Sequence, residues 1–160
     1  MDPRIQFRRM KPGDESKVSA FISGVFHQFV APGFSQQGID EFMKFIDPAA
    51  LENQLKENYF GLIAASGAKL IGVIEIRDHS HIALFFVEAR FQRRGIGKAL
   101  FRKALEICTG EGVRPSQITV NASPNSQFAY ETLGFHPTDV EQCANGIRFV
   151  PMAFPLNPVF

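Results

Sequence analysis

One change of period leaves this chain few folds to adopt. HIALFFV (81–87) is an almost unbroken apolar run, the pattern of a strand buried on both faces. From Ile96 onward the apolar positions move to helical spacing, with Ile96, Leu100, Ala104, Ile107 and Cys108 on one face. The joint between them holds QRRGIG (92–97), polar and doubly basic, with glycines at 95 and 97. Successive backbone N–H groups of such a turn point into one concavity, and the helix N-terminus adds unsatisfied donors and a partial positive charge. Gly95 and Gly97 keep that concavity open to a bulky anion, and Arg93, Arg94 and Lys98 put mobile charge at its rim. The expected guest is a phosphate or pyrophosphate. Glycine turns also serve packing alone, and two common nucleotide patterns fail here. Leu100 stands where a dinucleotide fingerprint needs its third glycine, and Gly97-Lys98-Ala99 lacks the hydroxyl of a triphosphate-binding loop.

Around this joint the chain reads as an alternation of strands and helices. IQFRRM alternates as a first strand, and Asp14 stands where it can cap a helix from Glu15 carrying Val18, Ile22, Val25 and Phe29 on its stripe. A second helix is expected from Ser35, with Pro48 stopping or kinking it, and a short helix over LENQLKENY. FGLIAAS, KLIGVIEIR and HIALFFVE read as successive strands. Gly110 and Gly112 end the helix after the glycine turn, QITVNA is the next strand, and SPNSQFAYETLGF is a short helix with Ser123 as cap and Pro124 in its first position. Asn145-Gly146 is a hairpin turn joining a strand near 136–143 to IRFVPMAFPL. The order implies a mixed α/β fold around one long sheet, in a single domain over 1–160, since no linker or repeat divides the chain.

Composition narrows the function. The net charge is +1, from 17 basic and 16 acidic residues, which argues against a dedicated nucleic-acid surface. The two cysteines form no metal or disulfide spacing, and His27, His79, His81 and His136 are scattered. Cys108 reads as core, and Cys143 as a hairpin-tip residue open to oxidation. There is no signal-peptide pattern and no apolar run long enough for a membrane span, so a cytoplasmic protein is expected, without a membrane partner and as a monomer or homodimer. Phenylalanine is abundant, 17 residues against 2 Tyr and no Trp. Phe29 and Phe34 fall where a site wall would stand.

The longer string LFFVEARFQRRGIGKALFRKAL resembles the signature of the GCN5-related N-acetyltransferases, whose core is Gln or Arg, two residues, Gly, one residue, then Gly or Ala. Here these are Gln92, Gly95 and Gly97, with Val87 and Leu100 fitting on either side. ITVNASPNSQFAYETLGF resembles the family's later strand and helix through Tyr130, Gly134 and Phe135, and NGIRFVPM resembles the closing hairpin of many small bacterial members. The resemblance spans roughly residues 5 to 155. It implies a mixed, mostly antiparallel central sheet flanked by helices and splayed at its central strands. It also implies acetyl-coenzyme A as cosubstrate, with the pyrophosphate on Gln92, Arg93, Arg94, Gly95, Ile96, Gly97 and Lys98, and the pantetheine arm along Phe85, Phe86 and Val87. Tyr130 is then expected beside the sulfur as general acid, with Asn125 in reach of the arm.

The implied reaction is direct acetyl transfer to a primary amine of a small molecule or of a peptide or protein. A coenzyme A-binding sensor module that transfers nothing is the alternative. For the base, the candidates are Glu75, in the strand VIEI, His79, and His81, on the expected parity of Ala83, Phe85 and Val87. Two also have a plain structural reading: Glu75 in a salt bridge with Arg77 or Arg9, and His81 as a hydrogen-bonded strand end.

Overall fold

The computed structural model describes residues 4–110, 112 and 115–156. In chain order the elements are β1 (Ile5–Arg9), α1 (Glu15–Phe29), α2 (Gln36–Phe45), α3 (Pro48–Lys56), β2 (Tyr59–Ser66), β3 (Lys69–Arg77), β4 (His81–Val87), α4 (Ile96–Gly110), β5 (Gln117–Ala122), α5 (Gln127–Leu133), β6 (His136–Pro137), β7 (Gln142–Ala144) and β8 (Ile147–Pro155). The sheet runs β1-β2-β3-β4-β5-β8-β6, with β7 paired to the hairpin end of β8. Every pairing is antiparallel except β4 with β5.

The helices cover both faces. On one face α4 packs Ile96, Leu100, Phe101 and Ala104 against Ile74, Ile76, Ile118 and Met152. On the other, α1 and α3 bring Val18, Ile22 and Leu51 against Ile63, Val73 and Leu84. Burying side chains of this size stabilises by roughly 1.5–3 kcal/mol each, so the stripe read along α4 fixes where that helix must lie.

Local chemistry departs from expectation at several helix and strand ends. Asp14 stands at the start of α1, but its carboxylate turns away from the helix and accepts from Arg8 at 2.8 and 3.0 Å and from the Lys11 N–H at 2.9 Å. A bidentate charged partner outcompetes a neutral backbone donor. Ser35 does cap α2, its hydroxyl accepting from the Gly38 N–H at 3.1 Å. Pro48 opens α3 at its first position, behind Asp47, which accepts from the Ala49 N–H at 3.1 Å. The segment expected as one strand over 136–143 splits into β6 and β7. Pro137 has no N–H to donate, and the Asp139 carboxylate takes the Val140 N–H at 2.7 Å.

Two irregularities shape the centre of the sheet. β4 and β5 pair only at His81–Thr119 and Ile82–Val120 and then part. Within β4, Leu84 sits opposite Glu75 and Ile82 opposite Ile76, which leaves Ala83 as an extra, bulged residue. The expected parity of His81 with Phe85 and Val87 therefore fails. Ile82 packs in the α4 core together with Phe85 and Val87, whereas Leu84 and Phe86 face α1 and α3. For the same reason HIALFFV is not buried on both faces. Only Ile82 and Leu84 are fully buried, and Ala83, Phe85 and Phe86 are half-buried along the opening.

Candidate active site

The glycine turn leads directly into α4. Gln92 to Gly95 form the turn itself, Ile96 is buried as the first helical residue, and the basic side chains at 93, 94 and 98 are exposed. Arg93 and Gly95 both hold positive φ, at +64° and +84°, the curl that aims consecutive N–H groups inward. Gln92 braces the turn, its side-chain amide donating to the Val87 carbonyl at 2.9 Å. Gly97 has ordinary helical backbone, and a methyl added there would rest at 3.7 Å from Phe85 and Val87. The protein's own packing does not require glycine at that position.

Beyond the last β4–β5 pair lies a cavity of about 350 Å³. Ile82 to Phe86 of β4 border it on one side, and Val120, Asn121, Ser123 and Ser126 on the other. Because Phe85 and Tyr130 belong to the α4 side of the sheet while Leu84, Phe86 and Phe42 belong to the α1 side, the cavity passes through the sheet. A donor and an acceptor can thus approach from opposite faces. Phe26, Val30, Phe34 and Phe42 wall the second face, together with Ala144 to Phe149 of the hairpin.

Tyr130 reaches this opening from α5. A 3₁₀ turn at Pro124–Ser126 precedes the helix, and Gly134, at φ +112°, ends it. The Phe135 N–H then donates to the Tyr130 carbonyl at 3.0 Å. The Tyr130 ring stands edge-on to Phe135 at 5.4 Å and to Phe85 at 6.1 Å. Burial pushes its phenol above the ordinary tyrosine range, so it holds its proton.

The sequence profile described as the Acetyltransferase (GNAT) domain matches residues 30–156, which takes in the turn, the splayed strands and Tyr130. The chain belongs to the GNAT acetyltransferase family. It is 26% identical over 131 residues to the uncharacterized N-acetyltransferase YafP of Escherichia coli K12, covering 82% of this chain and 81% of that protein. Its fold is that of a GCN5-related N-acetyltransferase from Rhodopseudomonas palustris, at a TM-score of 0.80, 20% identity and coverage of 94% and 95%. It is also that of the PaiA N-acetyltransferase from Thermoplasma acidophilum, solved in complex with coenzyme A, at 0.78, 18% identity and coverage of 94% and 98%.

Within this GNAT frame the remaining candidates separate. Glu75 faces the α1 side beside Leu84, its cross-strand partner. It is 1% exposed, and neither carboxylate oxygen has a hydrogen-bond partner. The salt bridge with Arg77 or Arg9 is not formed. Burial alone raises the Glu75 carboxyl to about 8. It lies behind Leu84 and does not itself border the cavity. His81 sits at the closed end of the splay, its Nδ1 2.8 Å from the Thr119 hydroxyl. Burial, helped by nearby Arg77, lowers its imidazole to about 4. Asn125 is tied at both ends of its side chain, donating to the Phe29 carbonyl at 2.7 Å and accepting from the Ser123 hydroxyl at 2.9 Å.

Of the two residues expected to form a site wall, Phe34 borders the cavity and Phe29 does not. Phe29 is 39% exposed at the end of α1, and Val30 takes its place. Phe26, Phe42, Arg148 and Phe149 went unassigned in the sequence. Phe26 and Phe42 fall at apolar helical positions of α1 and α2, and the helical period alone does not separate core from cavity wall. Among the described residues no helix is long and apolar enough to cross a membrane.

Proposed function

We propose that this GNAT protein is an acetyl-coenzyme A-dependent N-acetyltransferase that acetylates a primary amine directly. Tyr130 acts as general acid in this reading, and Glu75 as the residue that finally takes the amine proton. The single observation that carries it is the opening through the sheet between β4 and β5, with the half-buried Tyr130 at its edge. When bound, acetyl-coenzyme A supplies a thioester: the amine nitrogen bonds to the acetyl carbon, the carbon–sulfur bond breaks, nitrogen loses a proton and sulfur gains one.

The chain's own groups fit the remaining tasks. The turn 92–97 and Lys98 hold the pyrophosphate through backbone N–H groups, and Phe85 to Val87 present a strand edge to the pantetheine arm. Tyr130 places a proton at the sulfur, because a phenol kept neutral by burial is an acid and not a base at neutral pH. Of the base candidates Glu75 is favoured. His81, lowered to about 4 and engaged with Thr119, is too weak a base. Glu75 has free oxygens, lies on the acceptor face and, raised to about 8, takes the proton as the carboxylate that forms toward that pH. With Leu84 between it and the cavity, it acts through water.

The test is thiol release from acetyl-coenzyme A with a panel of amines, parent against Tyr130→Phe. Loss of a positioned proton donor costs about 10²- to 10⁴-fold in turnover, with acetyl-coenzyme A binding unchanged. Turnover within twofold of the parent at saturating cosubstrate would remove Tyr130 from the mechanism. Binding without thiol release from any amine would favour the sensor alternative.

A further inference from the structure

The walls of the acceptor half of the cavity specify more than a primary amine. Phe26, Phe34, Phe42, Phe86 and Phe149 line it, and Arg148 is the one charged side chain among the described residues that do. Among the described residues no carboxylate lines it. Arg148 itself is paired at 2.7 Å with Glu141, and both are solvent-exposed. Glu75, behind Leu84, remains mostly protonated below about 8.

The walls are also tied to each other. The Ser35 hydroxyl donates to the Gly146 carbonyl at 3.0 Å, joining the start of α2 to the hairpin tip. The Asn125 amide joins the loop after β5 to the end of α1. The approach of α2 to the hairpin is close enough that a methyl on Gly38 would fall 2.3 Å from the Gly146 oxygen.

We propose that the acceptor is a free small monoamine with an aromatic or branched apolar body, which these phenylalanines enclose, and not a polyamine or a lysine side chain of a protein. This rests on the acetyl-transfer reading and narrows it. One ammonium can lose its proton on entry and become the nucleophile. A second, as in spermidine, would lie in an apolar cavity with no anion to meet it, and an unpaired buried charge is strongly disfavoured. A peptide lysine offers only a linear methylene chain to the aromatic walls, and its backbone must find room beside the two ties.

The probes are 2-phenylethylamine, spermidine and a lysine peptide blocked at both ends, compared by thiol release. A calorimetric titration of each into protein saturated with coenzyme A runs in parallel. 2-Phenylethylamine is expected to exceed the other two in kcat/KM, and in affinity, by about 10-fold or more, within the range that apolar pockets discriminate. Ala144→Asp, at an exposed position on the cavity lining, should move the spermidine to 2-phenylethylamine ratio about 10-fold toward spermidine. If that variant does not fold, Phe34→Ala should weaken 2-phenylethylamine about 10-fold and leave propylamine within about twofold. Equal or better use of spermidine or the peptide by the parent would overturn the proposal and leave acetyl transfer standing. Absence of thiol release, with 2-phenylethylamine still binding selectively, would overturn transfer and leave the acceptor assignment standing. Equal binding of all three would overturn the assignment.

Discussion

Glu75 is a carboxyl group that the fold keeps out of water and gives nothing to bond. Its proton affinity is raised from 4.5 to about 8 by that burial. Folded protein then binds one more proton than unfolded protein between those values, so this group makes the fold lose stability as pH rises from about 4.5 to about 8, by at most about 1.4 kcal/mol per pH unit. Glu75→Gln removes the titration and keeps the shape. Denaturant melts at pH 5 and pH 8 should show the variant nearly matched to the parent at the lower pH and more stable at the higher. The same substitution should abolish a rise in kcat/KM centred near 8 if the carboxylate receives the amine proton. A variant that is stabilised at pH 8 but keeps that rise would leave Glu75 a structural anomaly and assign the limb to the amine itself.

At the scale of elements, the contact between α2 and the hairpin decides the sign of one substitution. In a free helix Gly38→Ala would gain about 0.8–1.0 kcal/mol. Here the added carbon would press on the Gly146 backbone oxygen, and overpacking of this kind costs about 1–3 kcal/mol. Net destabilisation is expected, with faster amide exchange confined to residues 142–149. A stabilised variant with unchanged exchange would show that the tip is not held by α2. Most elements were readable from sequence because each carries its own signal: the period of α4, the Ser35 cap, and Asn145-Gly146, whose φ values of +53° and +78° complete the hairpin turn. The contacts among elements carried none. Nothing in the sequence marks Ala83 as bulged, so the faces of β4 were misassigned at His81. Nor does Asn125 announce a partner 96 residues away. The candidate site was legible where it depends on a local turn, at 92–97, and on Tyr130 by resemblance. It was illegible where distant side chains meet, as at Arg148 and Phe149.

For the whole molecule, the prediction concerns the cosubstrate. A ligand that binds only the folded state at 100 times its Kd stabilises by about 2.7 kcal/mol, which for a chain of this length is a rise in Tm of about 5–10 °C. Acetyl-coenzyme A should produce that rise, and exchange at Phe85 to Val87 should slow beyond the general stabilisation. Gly95→Val should fold and lose the shift, because a branched side chain is strained at φ +84° and fills the turn. An undiminished shift in that variant would displace the pyrophosphate from the turn.

The extra residue in β4 has a consequence for how the chain tolerates editing. Deleting Ala83 would restore an unbroken ladder with β3 and leave the pairs Ile76–Ile82, Glu75–Leu84 and Ile74–Phe85 as they are. Ile82 and Leu84 would then alternate as direct neighbours, so every side chain up to the glycine turn would keep its face. A deletion beyond Leu84 that kept the bulge would instead carry the following side chains to the opposite side of the sheet. Ala83 is therefore the place where this strand absorbs a change of length, and a chain one residue shorter there would present the same linings to both ligands.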